Sequence, residues 1–299
     1  MSLDLTGLGN YTDEHKMELV RASLLSGKTL KLITVQPGIK SAATINALSS
    51  TDVWAAGACG FSAEGSTVLE QRTIAVSDIK KNESICLNDL EAKYTQIGMK
   101  AGSYNEELPF AQLYSDEIAG QTAKFIETLA WQGNTAGAGN MVLADGLVKI
   151  IDAEATVVTG TAKAMDAANI VDAVDEMIAA IPEDVVEGEE LRLFMGHSEY
   201  RIYTKALRDA NLFHYDGKDG ADFETYAPGT NVKVTAVGGL NGLARMFLME
   251  SANAHAGTDL LDDAESFRLF YSQDNDEVRL IQKMKIGFQI AFPSRVVSN

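Results

Sequence analysis

Two cysteines in 299 residues, Cys59 and Cys86, are too few for a disulfide framework, so two reduced thiols are expected. Hydrophobic residues make up 46% of the chain, yet no uninterrupted apolar run approaches the roughly 18 residues of a membrane span. Met1-Ser2-Leu3-Asp4 lacks the basic and apolar regions of a secretory signal, which predicts folding in a cytoplasm. The four histidines, His15, His197, His214 and His255, are scattered without zinc-ligand spacing. Basic charge is also short: 25 Lys and Arg against 42 Asp and Glu give a formal −17. With no long basic run, that balance opposes binding to a phosphate backbone. Acidity alone would equally serve to keep an ordinary protein soluble.

What is present is enough apolar material, at 32.2 kDa, for one large or two small domains. Thr67 to Asp78 is β-prone, but neither alternate set of positions is cleanly apolar, so the segment has little to bury against its own domain. The charged stretch Lys80-Lys81-Asn82-Glu83-Ser84 then predicts the tip of a long hairpin returning through Ile85-Cys86-Leu87 toward Tyr94. A two-stranded ribbon is marginal alone in water and needs outside support. After it, Pro109 suits a first helical position, Glu106 and Glu107 favour the helix N-terminus, and Gly133 suits a left-handed stop. Phe110, Tyr114, Ile118, Phe125 and Leu129 form an apolar stripe, with Gln112, Asp116, Gln121, Lys124 and Glu127 mostly opposite. Such a helix, from Phe110 to Gln132, spans roughly 35 Å.

Thr12 to Leu25 reads as a short helix capped by Thr12 or Asp13, followed by extended pieces from Leu30 to Val35 and Gly38 to Leu48. Gly133 to Asn140 is a flexible turn without the Lys-Ser or Lys-Thr of a phosphate loop. Asp166 to Ile181 predicts an amphipathic helix closed by Pro182. Leu191 to Met195 is a short strand, Ser198 is the expected cap of a helix to about Ala210, and strands near Val232 to Val237 and Leu243 to Met249 complete an α+β unit. Near the C-terminus, Val278, Leu280, Met284, Ile286, Phe288 and Ile290 alternate with polar residues, broken only at Ile281 and Gln282. Asp274-Asn275-Asp276 turns into this ribbon from a strand at Phe267 to Tyr271.

An extended hairpin, Leu108-Pro109-Phe110, a long helix ending in Trp131-Gln132-Gly133-Asn134, and Met141-Val142-Leu143-Ala144-Asp145-Gly146-Leu147 together resemble the major capsid proteins of tailed bacteriophages, the Hong Kong 97-type fold. Val35 to Ser41 and Ala58-Cys59-Gly60-Phe61 are similar to the N-terminal arm of members from phages of Bacteroidota-type hosts. The resemblance implies an α+β fold with an N-terminal arm (1–60), an extended loop (61–104), a peripheral domain with its spine helix (105–150), an axial domain (151–260) and return strands of the peripheral domain (261–299). It further implies hexamers and pentamers of an icosahedral shell around double-stranded DNA, in a virion assembled in the host cytoplasm, with portal, scaffolding and decoration proteins as further partners and no membrane. Glu70, Arg72, Lys80, Lys81 and Glu83 become candidates for contacts between subunits, because the family lays the extended loop over a neighbour.

No catalytic, cofactor-binding or metal residue is assigned. His197-Ser198 is an adjacent base and nucleophile, but a triad is assembled by the fold and not by adjacency. Asp216 to Gly220 carries a lysine where a calcium loop needs an oxygen ligand, and Asp259 to Asp263 lacks the glycine turn. Trp54 and Trp131 are expected in the core. Two rivals stand beside the capsid reading. One is an encapsulin-type nanocompartment shell, and the other is an acidic α+β enzyme using His197 and a carboxylate.

Overall fold

The computed structural model describes residues 27–50, 53–54, 57, 59, 65–86, 110–160, 163–186, 190–210, 221–259 and 266–299. The predicted helix at Thr12 to Leu25 and the loop at Asp216 to Gly220 lie outside these residues, as do Glu106, Glu107 and Pro109.

The first described element is a short helix where extended chain was expected, α1 (Lys28–Leu32), followed by β1 (Thr34–Pro37). Strand β2 (Ala42–Ser50) pairs antiparallel with β3 (Thr67–Ala75), from Ala42 opposite Ala75 to Ser50 opposite Thr67. Val76 closes the base of this ribbon by donating its N–H to the Ser41 carbonyl, and the chain then turns into β4 (Ser77–Cys86). The predicted hairpin is therefore corrected. Lys80 to Ser84 is not a tip but the middle of β4, and the return arm of the ribbon comes from the residues assigned to the N-terminal arm. The physical reason is turn chemistry. In Lys80 to Ser84 neither Asn82 nor Ser84 is joined by the glycine that a tight hairpin turn favours, whereas the connection 51–66 holds three glycines.

The long helix α2 (Phe110–Gln132) runs the 23 residues that the apolar stripe predicted. Gly133 follows it without a left-handed backbone. A Cβ there would stand 2.4 Å from the Ala144 carbonyl oxygen, so the glycine is required by the close return of 144–146. Helix α3 (Leu147–Asp152) then leads to β5 (Val158–Thr159).

Two sheets carry the rest. In the first, β12 (Glu277–Ile290) is central, with β4 on one flank and β10 (Ala254–Thr258) and β11 (Ser266–Ser272) on the other; β1 adds to β10. The turn between β11 and β12 places Asp276 at a φ of 55°, a conformation an aspartate tolerates in a turn. Every even position of β12 is buried, Gln282 included, so the strand keeps strict period two and only the residue type at Gln282 breaks the apolar pattern. This face packs under α2, where Ile118, Ile126, Leu129 and Trp131 join Leu280, Met284, Ile286 and Phe288 in one core.

The second sheet runs β5-β13-β9-β6-β8-β7, with β6 (Leu191–Met195), β7 (Glu224–Tyr226), β8 (Lys233–Ala236), β9 (Phe247–Glu250) and β13 (Val297–Ser298). Helices α4 (Ile170–Ala179) and α6 (His197–Asp209) cover it through a second core that includes Ile170, Val174, Met177, Tyr203 and Leu207. Pro182 opens the four-residue helix α5 (Glu183–Val186) and does not merely close α4. Two boundaries move. Strand β10, placed by sequence in 151–260, belongs to the first sheet, and β13, placed among the return strands, belongs to the second. Both are short, and two to five residues carry no alternation by which to choose a sheet.

Candidate assembly surfaces

The base of the β2–β3 ribbon is fixed to the body. Ile74 is fully buried with Ile39, Ile45 and Ala291, and Gln289 Nε2 donates to the Thr73 carbonyl at 2.9 Å. Gly287 sits beneath, where a Cβ would meet the Ala75 carbonyl oxygen. Arg72 makes a two-pronged ion pair with Glu154 of the same chain, at 2.5 and 3.0 Å. The Arg72 hydrogen bonds hold the Glu154 carboxyl below the usual carboxylate range, and the same bonds raise Arg72.

Beyond Arg72 no described element of the fold covers the ribbon. Residues 67–71 are all exposed, so both faces of β3 meet solvent. Leu48 and Leu69 form an exposed cross-strand pair, Val68 is exposed beside them, and Trp54, past the end of β2, is 87% exposed. At about 3.3 Å per residue the pair Leu48 and Leu69 lies about 20 Å along the ribbon from Ala42. The expectation that Trp54 is core is thus corrected; Trp131 is core, wedged against Phe194 and Phe247 with ring centroids 5.3 and 5.5 Å away.

The structure separates the five charged candidates. Glu70 is exposed on the ribbon and Lys80 is exposed on β4. Lys81 pairs with Glu83 at 2.9 Å, and Glu83 accepts from Tyr114 Oη of α2 at 3.1 Å. Burial, first, and the Glu83 charge, second, push the Tyr114 hydroxyl well above its ordinary value. Arg72, Lys81 and Glu83 are therefore satisfied within the chain.

Sequence reasoning missed a second attachment. Glu127, placed on the polar side of α2, is buried, because the N-terminal segment covers that side of the helix. Its carboxylate accepts from Thr29 N at 2.9 Å and Thr29 Oγ1 at 2.6 Å, at the N-terminal end of α1. Trp131 Nε1 donates to Thr29 Oγ1 at 2.7 Å, so one turn of α2 holds α1 through both residues. The only signal was the Glu127 to Trp131 spacing of four, which puts both on one helix face. Gly27 and Gly239 leave room for it, since a Cβ at either would press on Glu127 or Trp131.

His197 is the first residue of α6 and not a loop residue, and Ser198 is not the cap. Gly196 holds the cap position, and the first helical N–H, that of His197, is accepted by Asn241 Oδ1 at 2.8 Å. Burial lowers the His197 pKa and so do its cationic neighbours Lys28 and Arg201, while Phe223 meets the ring edge-on at 5.0 Å. Among the described residues nothing in that setting activates a nucleophile. Asp259 is buried against Lys285 at 3.4 Å, and Asp262 and Asp263 lie outside the described residues. Among the described residues no group of three or more His, Cys, Asp or Glu is placed to hold a metal, and no helix is long and apolar enough to cross a membrane. Cys59 and Cys86 are free and exposed.

No protein-family profile matches the chain, and no curated protein matches it in sequence. Among solved structures, the satellite phage P4 procapsid, solved with its size determination (Sid) protein, superposes with a TM-score of 0.62 at 13% identity, over 95% of this chain and 89% of that one. The chain has the fold of phage capsid shells. The capsid of Myoviridae phage XM1 gives a TM-score of 0.57 at 13% identity, over 89% of this chain and 88% of that one. A virus-like particle from Pyrococcus furiosus gives 0.54 at 11% identity, over 95% of this chain and 97% of that one.

Proposed function

We propose that the chain is a major capsid protein, a structural subunit that self-assembles into hexamers and pentamers of an icosahedral shell around double-stranded DNA. The observation that carries this reading is the fold shared with the phage P4 procapsid over 95% of the chain. Two features of the molecule support it. The β2–β3 ribbon exposes an apolar tip on a two-stranded element that is marginal by itself, which suits a surface completed by a neighbouring copy. The formal charge of −17 suits a container wall, since an acidic wall repels packed DNA and leaves it mobile. The subunit then resides in the virion, assembled in the host cytoplasm, with portal, scaffolding and decoration proteins as partners of the shell. Glu70 and Lys80 are the exposed charges proposed for contacts between subunits, beside Leu48, Leu69 and Trp54. The similarity to phages of Bacteroidota-type hosts rests on Val35 to Ser41 and Ala58 to Phe61.

A second reading, a nanocompartment shell with protein cargo, is favoured by the likeness to the virus-like particle. Negative-stain imaging of the expressed protein tests both: closed shells are expected, and a protein that stays monomeric at every concentration and salt would sink the shell reading. The contents of purified shells then choose between nuclease-protected DNA and protein. The soluble subunit is expected to leave a labelled duplex unbound at physiological salt. Tight, salt-sensitive retention of the duplex would remove the acidic-wall argument.

A further inference from the structure

The first sheet ends at β11, and among the described residues no strand pairs with its outer edge. In an antiparallel pair the backbone groups of alternate residues point away from the partner strand, so half of the β11 backbone faces that open edge. Sheet edges are ordinarily blunted by shortness, several charges, proline or a bulge. None of these protects β11. It runs seven residues, Ser266-Phe267-Arg268-Leu269-Phe270-Tyr271-Ser272, in unbroken register with β12, and carries one charge and no proline. Phe267 and Leu269 are buried in the core under α2, while Arg268 and Phe270 are exposed on the opposite face, Phe270 at 38%. Arg268 makes no ion pair among the described residues.

The order of these residues is complementary to itself. When β11 is laid antiparallel against a second copy and centred on Leu269, Arg268 of each copy falls opposite Phe270 of the other, Phe267 opposite Tyr271, and Leu269 opposite its counterpart. Residues directly opposite share a face, so the α2 side gains two Phe–Tyr pairs and a leucine pair, and the outer face gains two guanidinium–ring pairs. Other registers are poorer. A slip of one residue sets the α2-covered faces of the two copies on opposite sides. Centring on Arg268 brings the two guanidinium groups face to face, and centring on Phe270 leaves Arg268 against Ser272. We infer that β11 is a contact between two copies of this chain, which join their first sheets edge to edge about a two-fold axis through antiparallel β11 strands centred on Leu269. Each copy offers the same patch, so the contact closes with two subunits. One strand from each side makes a small interface, and the dimer is weak. The inference goes beyond the shell reading, because the dimer is expected of the unassembled subunit.

Sedimentation velocity on the purified full-length subunit, freed of any shells, is expected to show reversible dimerisation with a Kd of about 10–500 μM. Alternate β11 amides are expected to exchange about twofold slower or more at high protein concentration, with α2 unchanged. Phe270→Lys sets a cation opposite Arg268 in both pairs and is expected to weaken dimerisation about tenfold or more. Arg268→Glu removes both guanidinium–ring pairs and is expected to weaken it about fivefold. Combined in one chain, the two substitutions set opposite charges across both pairs, and affinity is expected to return to within about threefold of the natural protein. Both side chains are exposed, so each variant is expected to keep the natural melting transition. Should Phe270→Lys fold poorly, Arg268→Glu and the β11 exchange of the natural protein still decide. A monomer at about 1 mM with unchanged β11 exchange would overturn the proposal. So would full-affinity dimers of a folded Phe270→Lys subunit, which would mean that the copies meet elsewhere. A double variant that does not recover would overturn it as well, since the edge would then pair in another register or with a different chain. Normal shells from a subunit that never dimerises would leave the shell reading standing, and dimers without shells would leave only this one.

Discussion

Two long antiparallel pairings share this chain and have opposite fates. Strands β2 and β3 match nine residue pairs, and β4 and β12 match ten. The backbone ladders are equivalent, yet β12 buries six of its side chains from Val278 to Phe288 while β3 buries one, Ile74. The difference lies in what stands over them: α2 and its apolar stripe cover the β4–β12 pair, and no described element covers the distal ribbon. Hydrogen-bonded pairing sets the path of a strand, but apolar burial decides whether that strand belongs to the fold or is offered to a partner.

The largest expected effect breaks the buried side of the comparison. Phe288→Asp puts an unpaired carboxylate among Ile118, Ile126 and Ile286, at a cost of about 4 kcal/mol or more, and insoluble or unfolded subunits are expected. Circular dichroism of any soluble fraction checks this. A native-like melt would show that the β12 face is not the core.

Next comes the attachment of the N-terminal segment. Glu127→Ala strips both acceptors from Thr29 and is expected to cost about 1–3 kcal/mol in urea denaturation. Faster amide exchange is expected through α1 while β12 stays protected. Unchanged exchange at Thr29 would mean that the carboxylate does not hold α1.

The ribbon base is weaker and depends on pH. Arg72→Met is expected to cost about 1 kcal/mol at neutral pH. Because Arg72 depresses the folded-state pKa of Glu154, the pair stabilises the fold fully above the ordinary carboxylate pKa and loses that contribution as pH falls through the depressed value. The stability gap between the natural protein and Arg72→Met should therefore close in acid. A gap that stays constant down to the acid limit would assign the effect to packing of the arginine stem.

The smallest effect on the fold sharpens the other side. Replacing both Leu48 and Trp54 by Ser removes exposed apolar surface and is expected to change subunit stability by no more than about 0.5 kcal/mol, while shell yield falls sharply. Shells formed in normal number and shape by this variant would show that the tip is not an assembly surface.

Much of the architecture was legible because periodicity survives translation into structure. The apolar stripe from Tyr114 to Leu129 gave α2, the alternation from Val278 to Ile290 gave β12, and Leu191 to Met195 is the strand expected there. The pairing of β3 was not legible, since a segment with no clean apolar face accepts several partners and its register depends on distant chain. The burial of Glu127 was hidden for a related reason: a helix pattern shows which face is apolar but not that a second element, α1, also covers the polar one.

The sequence by itself determined the long helix, the buried central strand and the acidic balance, all of which depend on neighbouring residues or on composition alone. Tertiary structure decided which strand returns beside β3, that Arg72 is bound to Glu154, that β10 and β13 exchange sheets, and that Thr122 of α2 bonds the buried Gln282 of β12. Each of these joins residues far apart in the chain, and such contacts are selected by the total burial of the folded molecule and not by any local pattern.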